Sequence, residues 1–146
     1  MRPYLALLAA VALAPAAHAI VVAQTFSFER TPSWRLMTRL MGQASALGLD
    51  AIWIPPAYKA STGGYSIGYD PYDRYDLGDK FQQGSTETLW GSRAELETLI
   101  KAAHDEGIMV FADVVLNHNG AGMNYTYPDF SYTDFHHSPH GCVENC

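Results

Sequence analysis

Apolar residues gather in three short runs, separated by two stretches of helical period, and this alternation predicts an α/β fold. Residues 20–26, Ile-Val-Val-Ala-Gln-Thr-Phe, are uncharged and rich in β-branched side chains, the mark of a short buried strand. A helix follows, with Thr31 as its cap, Pro32 at its first position and apolar residues at Trp34, Met37, Leu40, Met41, Ala44 and Leu47. Steps of three and four lay these residues along one stripe, and Gly48 ends the helix in the left-handed conformation. Residues 51–54, Ala-Ile-Trp-Ile, make a second strand, closed by Pro55-Pro56, which cannot continue a central ladder.

From there to Gly91 no helical period appears, a connection far longer than the roughly 2–6 residues usual between a strand and a helix. Loops of that length in a compact domain are usually functional. Ser92-x-x-Glu95 is a capping box, and Leu96, Leu99, Ile100 and Ala103 follow on one helical face until Gly107 stops it. Residues 108–116, Ile-Met-Val-Phe-Ala-Asp-Val-Val-Leu, form a third strand, almost continuously apolar as expected when helices cover a parallel sheet. The order strand-helix-strand-loop-helix-strand opens a right-handed α/β winding. Three strands cannot close a (β/α)8 barrel, which takes about 250 residues, so the chain reads as a fragment of one or as a small incomplete sheet.

The N-terminus adds a destination. Arg2, an apolar run over residues 5–14, Pro15 and Ala17-His18-Ala19 form a secretory signal, with cleavage expected after Ala19. Its apolar run is too short to span a bilayer. These residues predict a secreted, extracellular protein with no membrane partner. The formal charge is −6, and loss of Arg2 would make it more negative. An acidic chain without basic clusters argues against nucleic acid as a partner. Nine tyrosines and three tryptophans are generous for 146 residues, and aromatic platforms suit neutral sugars, although most such rings belong to cores.

Chemistry concentrates where the third strand ends, at Asp113-Val114-Val115-Leu116-Asn117-His118. Parallel α/β sheets carry their sites at that end. Strand alternation puts Phe111, Asp113, Val115 and Asn117 on one face, so Asp113 needs an arginine or hydrogen-bond donors to stay ionised there. Asn117 offers a hard amide oxygen suited to calcium, or alternatively a loop cap. His118 could donate to a sugar hydroxyl or serve the fold. Residues 68–78, Gly-Tyr-Asp-Pro-Tyr-Asp-Arg-Tyr-Asp-Leu-Gly, interleave tyrosines with aspartates. Such a run either grips a pyranose by ring faces and carboxylates, or packs its own aromatics in a turn-rich loop. Near the C-terminus, His136, His137, His140, Cys142 and Cys146 permit zinc, while export favours disulfide pairing; Asn124-Tyr125-Thr126 is a glycosylation sequon.

The residues resemble the α-amylase family, glycoside hydrolase family 13. Residues 113–118 resemble the first of its signature regions. Residues 51–56, 68–78 and Gln83-Gly84 before the Ser92 helix resemble the bacterial liquefying and archaeal enzymes. The resemblance implies the N-terminal portion of a (β/α)8 TIM barrel, its first three βα units over residues 20–118, with an excursion domain beginning over 119–146. It implies endo-hydrolysis of α-1,4-glucosidic bonds in starch or glycogen, with retention of configuration, by an enzyme that is a monomer when complete. Tyr69 would stack on the sugar beside the scissile bond, His118 would hydrogen-bond that sugar, and Asp113 would sit below them beside an arginine from further along. Asn117 would supply one ligand to a structural Ca2+ whose other ligands fall mostly past Cys146. The catalytic Asp, Glu and Asp of the family belong to strands four, five and seven, so no catalytic residue is assigned within this chain and the fragment alone is expected to be inactive. The alternatives are a cyclodextrin-processing, debranching or glucan-transferring relative, or a non-catalytic secreted sugar-binding fragment.

Overall fold

In the computed structural model the described residues are 19–27 and 32–120. The expected cleavage point after Ala19 involves residues outside them on its leader side, and the segment from 121 to Cys146, with its His, Cys and Asn124, lies outside them too.

The elements run β1 (Val22–Gln24), α1 (Trp34–Ala46), β2 (Ala51–Ile54), β3 (Lys59–Ala60), a 3-10 turn (Gly63–Tyr65), β4 (Pro71–Asp73), α2 (Arg93–Asp105) and β5 (Met109–Ala112). Strands β1, β2 and β5 form one parallel sheet in that order, with Gln24, Trp53 and Phe111 in one row across it. The antiparallel pair β3–β4 stands apart, inside the long connection that showed no helical period. Its strands are too short, at two and three residues, for any alternation to register in the sequence.

Helix α1 starts one turn-step later than Thr31 and Pro32 suggest. Its cap is Ser33, whose hydroxyl accepts from Leu36 N–H, and Pro32 precedes the cap. The decisive partner is tertiary, because Trp34 N–H donates to Trp90 carbonyl at 2.9 Å. Trp34, Met37 and Met41 are buried, whereas Leu40 and Leu47 are exposed, so the stripe is narrower than its period suggests. Helix α2 carries the full reciprocal capping box between Ser92 and Glu95, and Gly107 takes positive φ just past its end. The two helices pack on each other and on the sheet face that presents Ile52 and Ile54. Trp34, Trp90, Leu96, Leu99, Ala103 and Ile108 complete this core.

The opposite sheet face is only partly covered among the described residues, with Phe26 set edge-on against Trp53. Trp53 is 39% exposed and Phe111 47% exposed there, with Met109 and Val22 beside them. Within residues 20–26 only Val22–Gln24 forms the strand, at an edge of the described sheet and half exposed, not the buried run their composition suggests. Likewise β5 ends at Ala112 and not at Leu116, since Asp113 N–H to Ile54 carbonyl, 3.1 Å, is the last bond tying this segment to the sheet.

Candidate functional site

Beyond Ala112 the chain leaves the sheet at its carboxyl end, and its backbone polar groups need other partners. The long loop supplies them. Val115 N–H donates to Tyr58 Oη at 2.8 Å. Arg74 places Nε and Nη2 at 3.0 and 2.7 Å from Val115 carbonyl, and Nη2 also donates to His118 carbonyl at 2.6 Å. Its Nη1 donates to Asn119 Oδ1. Residues 113–118 thus do not keep strand alternation, because side chains have replaced the neighbouring strand.

This arrangement gathers three of the residues singled out from the sequence. Tyr69 Oη donates to Asp113 Oδ2 at 2.8 Å, and His118 Nε2 lies 2.9 Å from Tyr69 carbonyl. A carbonyl only accepts, so His118 carries its proton on Nε2. Nδ1 is then the acceptor for Asn117 Nδ2 at 3.4 Å. Tyr69 is seated by Gly68, whose φ is +102° and where a Cβ would fall 2.7 Å from Pro56 Cβ. Only glycine lets the loop press on Pro56 in this way. Burial, and then the bond to Asp113, push the Tyr69 phenol up to about 12, so it remains a donor across the neutral range. Asp113 satisfies its need for a donor with Tyr69.

Not all of the tyrosine-aspartate run faces outward. Asp73, Asp76 and Tyr72 are buried, and the first two belong to an ion cluster beneath the hairpin. The Lys59 ammonium is 0% exposed, 3.4 Å from Asp76 Oδ2, and donates to the carbonyls of Lys80, Ser85, Thr86 and Glu87. Asp76 Oδ1 accepts the N–H groups of Gly78, Asp79 and Lys80. Asp73 Oδ2 accepts from Gln82 Nε2 at 2.8 Å and faces Lys80 Nζ at 3.4 Å. Burial pulls the Lys59 pKa down, opposed by the Asp76 carboxylate. Half of the run is therefore structural, as a turn-rich loop packing its own side chains would be, while Tyr69 and the half-buried Asp70 remain at the rim.

Asn117 is exposed beside His118, and its amide nitrogen is the end turned to the imidazole. One hard oxygen fits calcium chemistry as a single ligand, and among the described residues no group of three His, Cys, Asp or Glu stands ready to hold a metal. Tyr58, Lys59 and Arg74 were not singled out from the sequence. The available signal was charge, since Arg74 is the one cation within residues 68–78, among their aspartates, and Lys59 follows an apolar strand and its prolines.

The Alpha amylase, catalytic domain family model matches residues 42–145. The cytoplasmic alpha-amylase of Escherichia coli K12 is 49% identical over 72 residues, which is 49% of this chain and 14% of that protein. The alpha-amylase of Bacillus licheniformis is 41% identical over 87 residues, 60% of this chain and 17% of the other. The chain thus spans roughly a sixth of the length of these relatives. Among solved structures, an Eisenia fetida alpha-amylase I mutant in complex with maltohexaose superposes with a TM-score of 0.56 at 16% identity, over 69% of this chain and 18% of that one. The trehalose-6-phosphate hydrolase of Bacillus licheniformis gives 0.55 at 26% identity, over 73% of this chain and 18% of that one. The parallel sheet, the helices laid on one of its faces and the matched residues all agree, and the chain belongs to the alpha-amylase family, glycoside hydrolase family 13.

Proposed function

We propose that this chain forms the first three βα units of an α-amylase barrel and supplies the sugar-facing rim of a starch- or glycogen-cleaving site. The carrying observation is the hydrogen-bonded group Tyr69–Asp113–His118 at the carboxyl end of the parallel sheet. Tyr69 is held through its hydroxyl, which leaves a ring face to cover the apolar CH face of a pyranose. His118, fixed with Nε2 protonated, presents a donor that an arriving sugar oxygen would share with Tyr69 carbonyl. Asp113 holds the phenol in place from below.

The reaction assigned is endo-hydrolysis of α-1,4-glucosidic bonds with retention, in which one carboxylate attacks and a second acts as acid and then base, about 5 Å away. Neither group is assigned to an acid of this chain; both would come from strands other than the three described. Asn117 would give one oxygen to a structural Ca2+, whose charge would brace the segment between barrel and excursion domain. The leader at residues 1–19 supports secretion, and a monomer is the expected state.

The test is to express the complete open reading frame and, separately, residues 20–146, and to assay both on soluble starch. The reading expects α-anomeric maltooligosaccharides from the former and no turnover from the latter. Starch hydrolysis by residues 20–146 alone, or none by the full product, would refute it. Product analysis also separates hydrolysis from transfer, because a transferase releases cyclic or lengthened glucans.

A further inference from the structure

The segment carrying Asp113 and His118 is not shaped by the sheet, and its shape must be imposed from elsewhere. Arg74 binds the carbonyls of Val115 and His118 with one guanidinium, and Tyr58 Oη takes the N–H of the same Val115. A guanidinium is a rigid planar fork, so holding two carbonyls three residues apart fixes the turn between them. His118 and Asn117 project from that turn.

The clamp also has a fixed base. Lys59 pairs with Asp73 across the β3–β4 hairpin, and both are fully buried in the ion cluster. Tyr58 and Arg74 are their immediate neighbours in sequence. Tyr58 and Arg74 flank the pair just outside the two strands, so the locked Lys59 and Asp73 leave them little freedom, and their hydrogen bonds carry that constraint to the strand end.

We propose that Arg74, assisted by Tyr58, is a positioning residue that sets the His118 imidazole for substrate; the proposal rests on the α-glucan reading above. Arg74 touches no substrate in this scheme, and acts through the backbone of residues 115 to 118. Losing it frees two carbonyls, lets the turn relax, and releases the Nε2–H from Tyr69 carbonyl.

The test uses the product of the complete open reading frame, wild type and with Arg74→Leu, Arg74→Lys or Tyr58→Phe. Histidine 15N NMR reads the ring, with the His118 resonance assigned by its loss in His118→Gln, and kcat/KM is measured on maltohexaose. Wild type is expected to show a protected Nε2–H tautomer. Arg74→Leu is expected to lose that protection and at least about tenfold in kcat/KM, since small misplacements of a positioned group are costly. Arg74→Lys, with one compact head for two carbonyls, should fall between, and Tyr58→Phe should move both readouts in the same direction. An unchanged ring signature with unchanged kcat/KM in Arg74→Leu would overturn the proposal. If Arg74→Leu does not fold, Arg74→Lys decides, with a weakened signature supporting the role and a wild-type one overturning it. If the wild type cleaves no α-glucan, the reading of function fails, and the ring signature still judges Arg74 separately.

Discussion

Single side chains decide what is available at this rim. Tyr69 and Tyr72 are both pushed up to about 12, mainly by burial. A folded pKa above the ordinary value of 10 means stabilisation that is complete below pH 10 and is lost as pH climbs through about 12. An alkaline absorbance titration should therefore show phenols ionising near 12, one of them missing in Tyr69→Phe; loss of a phenol that ionises near 10 instead would count against the buried, Asp113-bonded setting of Tyr69. Lys59 offers a second test, because its fully buried ammonium is surrounded by carbonyls and by the Asp76 carboxylate. Replacing it by Met leaves Asp76 Oδ2 without its counter-charge. Denaturant unfolding should show a loss on the order of 3–5 kcal/mol. Equal stability of Lys59→Met would mean that the cluster is not the anchor described. Neither residue could be ranked from sequence, since a lysine after Pro-Pro-Ala-Tyr looks like any solvated cation until the loop closes over it.

Secondary elements were legible where local chemistry fixes their ends. The Ser92–Glu95 box and Gly107 marked α2 correctly, because caps satisfy groups within a few residues. The box can be checked directly: Ser92→Ala should cost about 1 kcal/mol in thermal or chemical unfolding, as loss of an N-cap does. A smaller loss in Ser92→Gly than in Ala would mark capping and not packing as the cause. Helix α1 was found but its start was misplaced, because its first N–H bonds to Trp90, distant in sequence. The β3–β4 hairpin was invisible for a different reason. Its strands are held by the Lys59 cluster and the fork of Arg74, not by apolar alternation.

Among the described residues, the sheet has one face built and one largely open. Helices cover Ile52 and Ile54, while Trp53, Met109 and Phe111 stand open among the described residues. A contiguous apolar face of this kind binds hydrophobic dyes or associates. Residues 20–146 expressed alone should therefore enhance anilinonaphthalene sulfonate fluorescence strongly, and Trp53→Ser with Phe111→Ser should reduce it. A monodisperse protein with no dye response would show the face to be covered by residues outside those described.

By itself the sequence determined the parallel α/β winding, both helices and the family, because hydrophobic period, caps and short motifs are encoded locally. It also marks Tyr69, Asp113 and His118, as residue types at a strand end and in a loop. Only the tertiary structure decided that these three meet, that Asp73 and Asp76 are buried ion partners and not sugar ligands, and that Arg74 shapes the turn before His118. The site and the Arg74 clamp depend on contacts some forty positions apart, and the ion cluster on a lysine seventeen positions from its aspartate, and distance in sequence carries no trace of which group a side chain will reach.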